Sequence, residues 1–93
     1  MIQSFGDKET KALFYRERIK KLPPDLLQRG RNKLLIIHAA ETENDLRIPP
    51  GNQYERLKGD KKGVCSIRIN DQWRITFKWN DGKASDVTIT DYH

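Results

Sequence analysis

Residues 52–93, NQYERLKGDKKGVCSIRINDQWRITFKWNDGKASDVTITDYH, decide the fold of this 93-residue chain. Within them Ile67, Ile69, Trp73, Ile75, Phe77, Trp79, Val87 and Ile89 alternate with polar residues, the period-two pattern of strands with one buried face and one wet face. Asn80-Asp81-Gly82 separates two such runs and offers the left-handed positions that a tight hairpin needs. Asn70-Asp71 predicts the turn before it. Four antiparallel strands in series leave an apolar face that the first half of the chain must cover.

Working back from the sheet, Met1 to Phe5 predicts a short strand paired to it. Asp7 can cap a first helix running from Thr10 to Lys21 and carrying Leu13, Phe14 and Ile19. Leu22-Pro23-Pro24-Asp25 ends that helix and opens a second, because proline is tolerated in a first turn and excluded from the interior. The second helix is predicted over Leu26 to Ala40, with Leu27, Leu34, Leu35, Ile37 and Ala39 as the stripe facing the sheet. Gly30 in its middle suggests a close approach of the two helices. His38, near the helix end, reads as a partly buried histidine with a hydrogen-bond partner. Glu41 to Leu46 is a polar connection with room for one more helical turn, and Ile48-Pro49-Pro50-Gly51-Asn52 is an extended, stiff loop. This order gives a single α+β domain over residues 1–93, in which an N-terminal strand and a two-helix hairpin pack on one face of a twisted antiparallel sheet.

Composition narrows the function. The formal net charge is +5, with basic residues spread along the chain rather than gathered in a tail, so any polyanion should meet the folded surface. No apolar run is long enough to span a membrane, and Met1-Ile2-Gln3-Ser4 does not open a signal peptide. Cys65 is the only cysteine and shares parity with Ile67 and Ile69, which suits a buried hydrophobe in a reducing cytosol. Phosphate-binding glycine loops, dinucleotide fingerprints and paired-cysteine metal patterns are all missing. His38 and His93 are the only histidines, and Ser66 sits on a strand without the sharp turn of a nucleophile elbow. Neither a metal nor a cofactor is expected.

The parity of the strands points further. With Trp73, Ile75, Phe77 and Trp79 inward, Arg74, Thr76 and Lys78 face out. The same count sends Leu57 and Ile67 in, and Arg56, Lys58 and Arg68 out; Thr88, Thr90 and Tyr92 join the outer face. Charged side chains on a wet face often serve solubility alone. Here, however, Asp71 and Asp81 fall in turns and Asp86 at a strand start, so the cations look unpaired, and unpaired cations suit phosphate. Asp91-Tyr92-His93 ends the chain, with an imidazole suited to proton transfer near neutral pH and a phenol ring able to stack on an unpaired base. A fixed guanidinium such as Arg74 could stabilise the charge of a pentacoordinate phosphorus. Those parts suffice for RNA cleavage without metal; an inert, frayed terminus is the plainer alternative.

The run LKGDKKGVCSIRINDQWRITFKW with the terminal DYH resembles the HigB type of bacterial toxin, in the RelE/ParE superfamily (plasmid maintenance killer proteins). MIQSF and LRIPPGNQYERLKGD fit the same family, so the resemblance spans essentially all of the chain. It implies a microbial-RNase-like RelE/ParE fold and a cytoplasmic toxin of a type II toxin–antitoxin system. Such a toxin is a ribosome-dependent mRNA endonuclease that cuts in the A site without metal. The implied partners are the ribosome and mRNA, a HigA-like helix-turn-helix antitoxin, and operator DNA only through that antitoxin. By position, Asp91, Tyr92 and His93 match the family's C-terminal catalytic residues, while Lys58 and Arg74 match its active-site cations. Arg68 lies in the corresponding strand, with Asn70 the other position at which the family's strand arginine can fall. Arg56, Lys61, Lys62, Arg68 and Lys78 are the expected RNA contacts. Where some HigB toxins carry a histidine three residues before the lysine of LKGD, this chain has Glu55, which could act as a base or repel phosphate. Its parity with Leu57 predicts that it points off the reactive face. A ParE-like inhibitor of DNA gyrase and a non-cleaving RNA- or antitoxin-binding module are the rival readings.

Overall fold

The computed structural model describes residues 1–17, 22–57 and 63–91. Helix α1 is Lys8–Phe14, α2 is Pro24–Ala39 and α3 is Glu43–Leu46. Strands β1 (Glu55–Arg56), β2 (Val64–Arg68), β3 (Trp73–Asn80) and β4 (Lys83–Asp91) form one antiparallel sheet in the order β1-β2-β3-β4. Asp81 and Gly82, both at positive φ, make the two-residue turn of the β3–β4 hairpin. The Asn70 side chain closes the β2–β3 turn by accepting from the backbone N–H groups of Gln72 and Trp73.

Met1 to Phe5 lies along the far edge of β4, with parallel bridges from Ile2 to Ala84 and from Phe5 to Val87. Between those bridges β4 bulges at Asp86, which sits at φ 52 and donates its N–H to Ser4 Oγ. Further along the same edge, the buried Thr10 hydroxyl of α1 accepts from Ile89 N at 2.9 Å. The outer edge of β4 is thereby covered rather than left as an open pairing template.

Three expectations change. The first helix ends at Phe14, because Arg16 adopts φ 60 while Arg16 N and Glu17 N return to Leu13 O and Ala12 O, the bond pattern of a Schellman close. Rings also favour the stop: Tyr15 packs edge-on against Phe14 and Phe5. The buried stripe of α2 is Leu26, Gly30, Leu34 and Ile37, whereas Leu35 and Ala39 are exposed. Leu26 heads the stripe because the helix starts two residues earlier than predicted, at Pro24. The proline-rich loop includes a short 3-10 turn over Pro50–Asn52. Gly30 behaves as read, since a methyl group there would lie 3.0 Å from Leu13 Cδ2.

The core beneath the sheet joins Leu13, Leu26, Leu34, Ile37 and Leu46 to Cys65, Ile67, Ile69, Ile75, Phe77, Val87 and Ile89. Among the described residues all the helices therefore lie on one face, and the other is open. No helix among the described residues is long and apolar enough to cross a membrane.

Candidate active site on the open sheet face

In an antiparallel sheet, directly opposed residues project to the same side, so the register maps the open face row by row. Glu55, Ser66, Thr76 and Thr88 form one row; Arg68, Arg74 and Thr90 form the next. Thr76 and Thr90 share a hydroxyl contact of 3.2 Å. On β2, β3 and β4 these rows carry guanidinium and hydroxyl groups, as the alternation predicted, and Glu55 of β1 adds a carboxylate at the edge.

The phase of β1 differs. Arg56 pairs with Cys65, a core residue, and therefore belongs to the helix-covered side, where it meets Glu43 of α3 at 3.3 Å. That neighbouring carboxylate raises the guanidinium's already high pKa. Glu55 pairs with Ser66 on the open face, and Leu57, bonded through its N–H to Val64 O, follows the same side. The parity count sends Leu57 inward with Ile67 and Glu55 off the reactive face, and the ladder reverses both. In a two-residue edge strand, phase is set by the ladder to β2, and Tyr54 supplies the inward contact instead. Burial and the Cys65 thiol raise the Tyr54 phenol pKa well above its usual value, while the Tyr54 hydroxyl also donates to Glu43.

Nor are the cations generally unpaired. Lys78 meets Asp86 at 3.3 Å, because the bulge turns that carboxylate toward it. Arg68 folds back over the β2–β3 turn, donating Nε to Asn70 O and pairing with Asp71. Among the described residues Arg74 differs: its Nε donates to Ser66 Oγ at 3.0 Å and its Nη2 to Gln53 O at 2.6 Å. Both partners are neutral, so the charge is held in place without being cancelled. Arg74, Arg68, Gln53, Asn70 and Asp71 line an open concavity of about 420 Å³.

Thr90 lies directly opposite Arg74 and so shares its side of the sheet at the end of β4, while the guanidinium itself reaches the other way, to Ser66 of β2 and to Gln53. Asp91 lies opposite Trp73, hence on the other side of the strand from Arg74, and accepts from Gln72 Nε2 at 3.2 Å. Tyr92 and His93, together with Lys58, Lys61 and Lys62, lie outside the described residues. His38 is away from the open face, accepting the Ile2 N–H at Nδ1 and packing on Phe14, as its position in the helix suggested. Sequence reasoning missed Gln53, which acts through a backbone carbonyl, and Ser66. Only a polar residue between Cys65 and Ile67 signalled the latter.

Comparisons with known proteins agree with this architecture. The family of RelE-like HigB toxins of type II toxin–antitoxin systems matches residues 3–93. Toxin HigB-1 of Vibrio cholerae serotype O1 is 43% identical over 90 residues, covering 96% of this chain and 95% of that protein. The endoribonuclease HigB of Proteus vulgaris is 33% identical over 93 residues and covers 100% of both chains. In fold, the chain is similar to YafQ of E. coli strain BL21(DE3) (TM-score 0.57, 17% identity, 98% of this chain and 91% of that one). The YoeB/ParE toxin of Agrobacterium tumefaciens is similar as well (TM-score 0.55, 18% identity, 99% and 96%). An α+β domain with helices on one side, an Arg74-bearing open sheet face on the other and a family match over nearly its whole length places this chain in the HigB-like family of type II toxins, which implies an antitoxin partner.

Proposed function

We propose that this chain is a ribosome-dependent endoribonuclease that arrests translation by cutting mRNA in the A site without a metal ion. One observation carries the reading: a guanidinium fixed by neutral oxygens on an open, hydroxyl-lined sheet face. The endoribonuclease name of the Proteus vulgaris relative supports it. In the proposed reaction a base removes the 2′-hydroxyl proton and the 2′-oxygen bonds to phosphorus. The bond from phosphorus to the 5′-oxygen then breaks, and an acid protonates that leaving oxygen. A 2′,3′-cyclic phosphate and a 5′-hydroxyl result.

Arg74 stabilises the charge that builds on the phosphoryl oxygens. His93 is the candidate acid or base, Tyr92 the stacking platform and Lys58 a second phosphate cation, all by their match to the family's positions. Asp91, which matches a catalytic position too, lies opposite Trp73 on the other side of the strand from Arg74 and is left out of the acid–base pair. Glu55, on the same face as Ser66, is a further candidate base. Arg68, Lys61, Lys62 and Lys78 are the proposed RNA contacts, whereas Arg56, on the covered side with Glu43, is left out of that set. The proposed setting is the cytoplasm, with a HigA-like helix-turn-helix antitoxin that carries the pair to operator DNA.

Primer extension on a translated message tests the proposal. Cuts inside translated codons are expected, lost with His93→Ala and with Arg74→Ala while antitoxin binding persists. Growth arrest with DNA damage and no cut codons overturns it in favour of a ParE-like gyrase inhibitor.

A further inference from the structure

We infer that Ser66, with the Gln53 carbonyl that Asn52 holds in place, positions Arg74 for catalysis; the inference rests on the endoribonuclease reading above. A serine on the open face of a sheet should be wet, yet Ser66 is 0% exposed. Arg74, diagonal to it on β3 and two residues from its direct partner Thr76, gives Ser66 both Nε, at 3.0 Å to the hydroxyl, and a longer Nη2 contact of 3.5 Å to the carbonyl. The second anchor is a backbone one. Gln53 adopts the left-handed conformation, φ 44 and ψ 54, which L side chains rarely take, and its carbonyl accepts Nη2 at 2.6 Å.

That unusual backbone is itself braced. Asn52 is 0% exposed; its side-chain amide donates to Leu46 O at 3.0 Å and Ile48 O at 3.1 Å, and its oxygen accepts Lys33 Nζ at 2.5 Å. Every donor of one edge of the guanidinium is thus spent on the chain. The two N–H donors of Nη1 meet no oxygen among the described residues. A planar guanidinium satisfied along one edge cannot rotate without losing those bonds, so Nη1 is presented to a phosphate in one orientation. Preorganisation of this kind raises the rate of the chemical step, because the donors need no rearrangement as charge develops.

Single-turnover cleavage of a translated message by the full chain tests this. Ser66→Ala is expected to slow cleavage about tenfold with little change in KM or melting temperature. In an Arg74→Lys background, which lacks the planar fork, the same change should cost nothing further. The Arg74 Nε–H signal in nitrogen-15 NMR should be protected from exchange and lose that protection in Ser66→Ala. An unaffected Ser66→Ala, or an equal loss in both backgrounds, overturns the positioning role. If Ser66→Ala melts early, an Arg74 Nε–H that exchanges like a free guanidinium in the unmodified chain overturns it independently. No cleavage by the unmodified chain overturns the endoribonuclease reading itself, and this inference with it.

Discussion

The two sides of the sheet are held together by different physics. On the covered side, Ile67, Ile75, Phe77 and Val87 are at most 1% exposed and pack against α1 and α2, so that side is stabilised by apolar area removed from water. On the open side, Arg74 is bonded to Ser66 and Thr76 to Thr90, and these side chains carry little apolar area. Changes to the first should unfold the domain; changes to the second should disarm it. Stability and activity are therefore separable, residue by residue, according to strand parity.

The largest expected effect lies on the covered side. Phe77→Ala should cost about 3–5 kcal/mol, read by urea denaturation, which is much of what a domain of this size has to spare. Arg74→Ala should do the reverse. Cleavage should fall by about 10²- to 10³-fold, the range found when one donor to a developing charge is removed, while the urea midpoint stays nearly unchanged. A midpoint shift as large as that of Phe77→Ala would break the comparison.

A sharper version sets two arginines of neighbouring strands against each other. Arg68→Ala should weaken RNA affinity about tenfold and flatten its salt dependence by about one charge, whereas Arg56→Ala, paired with Glu43 on the covered side, should leave both unchanged. Equal losses from the two would mean that parity does not govern RNA contact.

The smallest effect expected is on pH dependence. Burial, with the Cys65 thiol second, raises the Tyr54 pKa above its unfolded value. The folded state then holds a proton that the unfolded chain releases above pH about 10, so stability falls as pH rises through that range. Lys33 works in the opposite direction, its pKa lowered by burial and by Arg29, since there the unfolded chain binds the extra proton. Tyr54→Phe removes only the first effect and should flatten the alkaline loss of stability, measured as the urea midpoint against pH.

How legible all this was depended on how strongly each segment's own pattern constrained it. β3 alternates over eight residues, and its phase, its hairpin at Asp81-Gly82 and the outward direction of Arg74 follow from that pattern. β1 is two residues long, too short for period two to register, and one apolar residue, Leu57, gave the wrong phase. The first helix stops short of its predicted end although KALFYRERIKK holds Ala, Leu, Lys, Arg and Glu, all good helix formers, and nothing local announces the left-handed stop at Arg16. Ile19 and Lys21 of the predicted helix lie outside the described residues. The pairing of Lys78 with Asp86 was hidden for a similar reason, since a bulge shifts one carboxylate across the face without leaving a mark in composition.

By itself, the amino-acid order determined the α+β layering, the family and the outward direction of Arg74, because each rests on periodicity or on residues adjacent in the chain. The tertiary structure alone decided which cations keep their charge available and what holds Arg74 still. Those outcomes depend on a backbone carbonyl at Gln53, a serine on the next strand and a buried amide at Asn52, contacts across turns and between strands that no local periodicity encodes. Local pattern fixes which way a side chain points; only the folded chain fixes what it finds there.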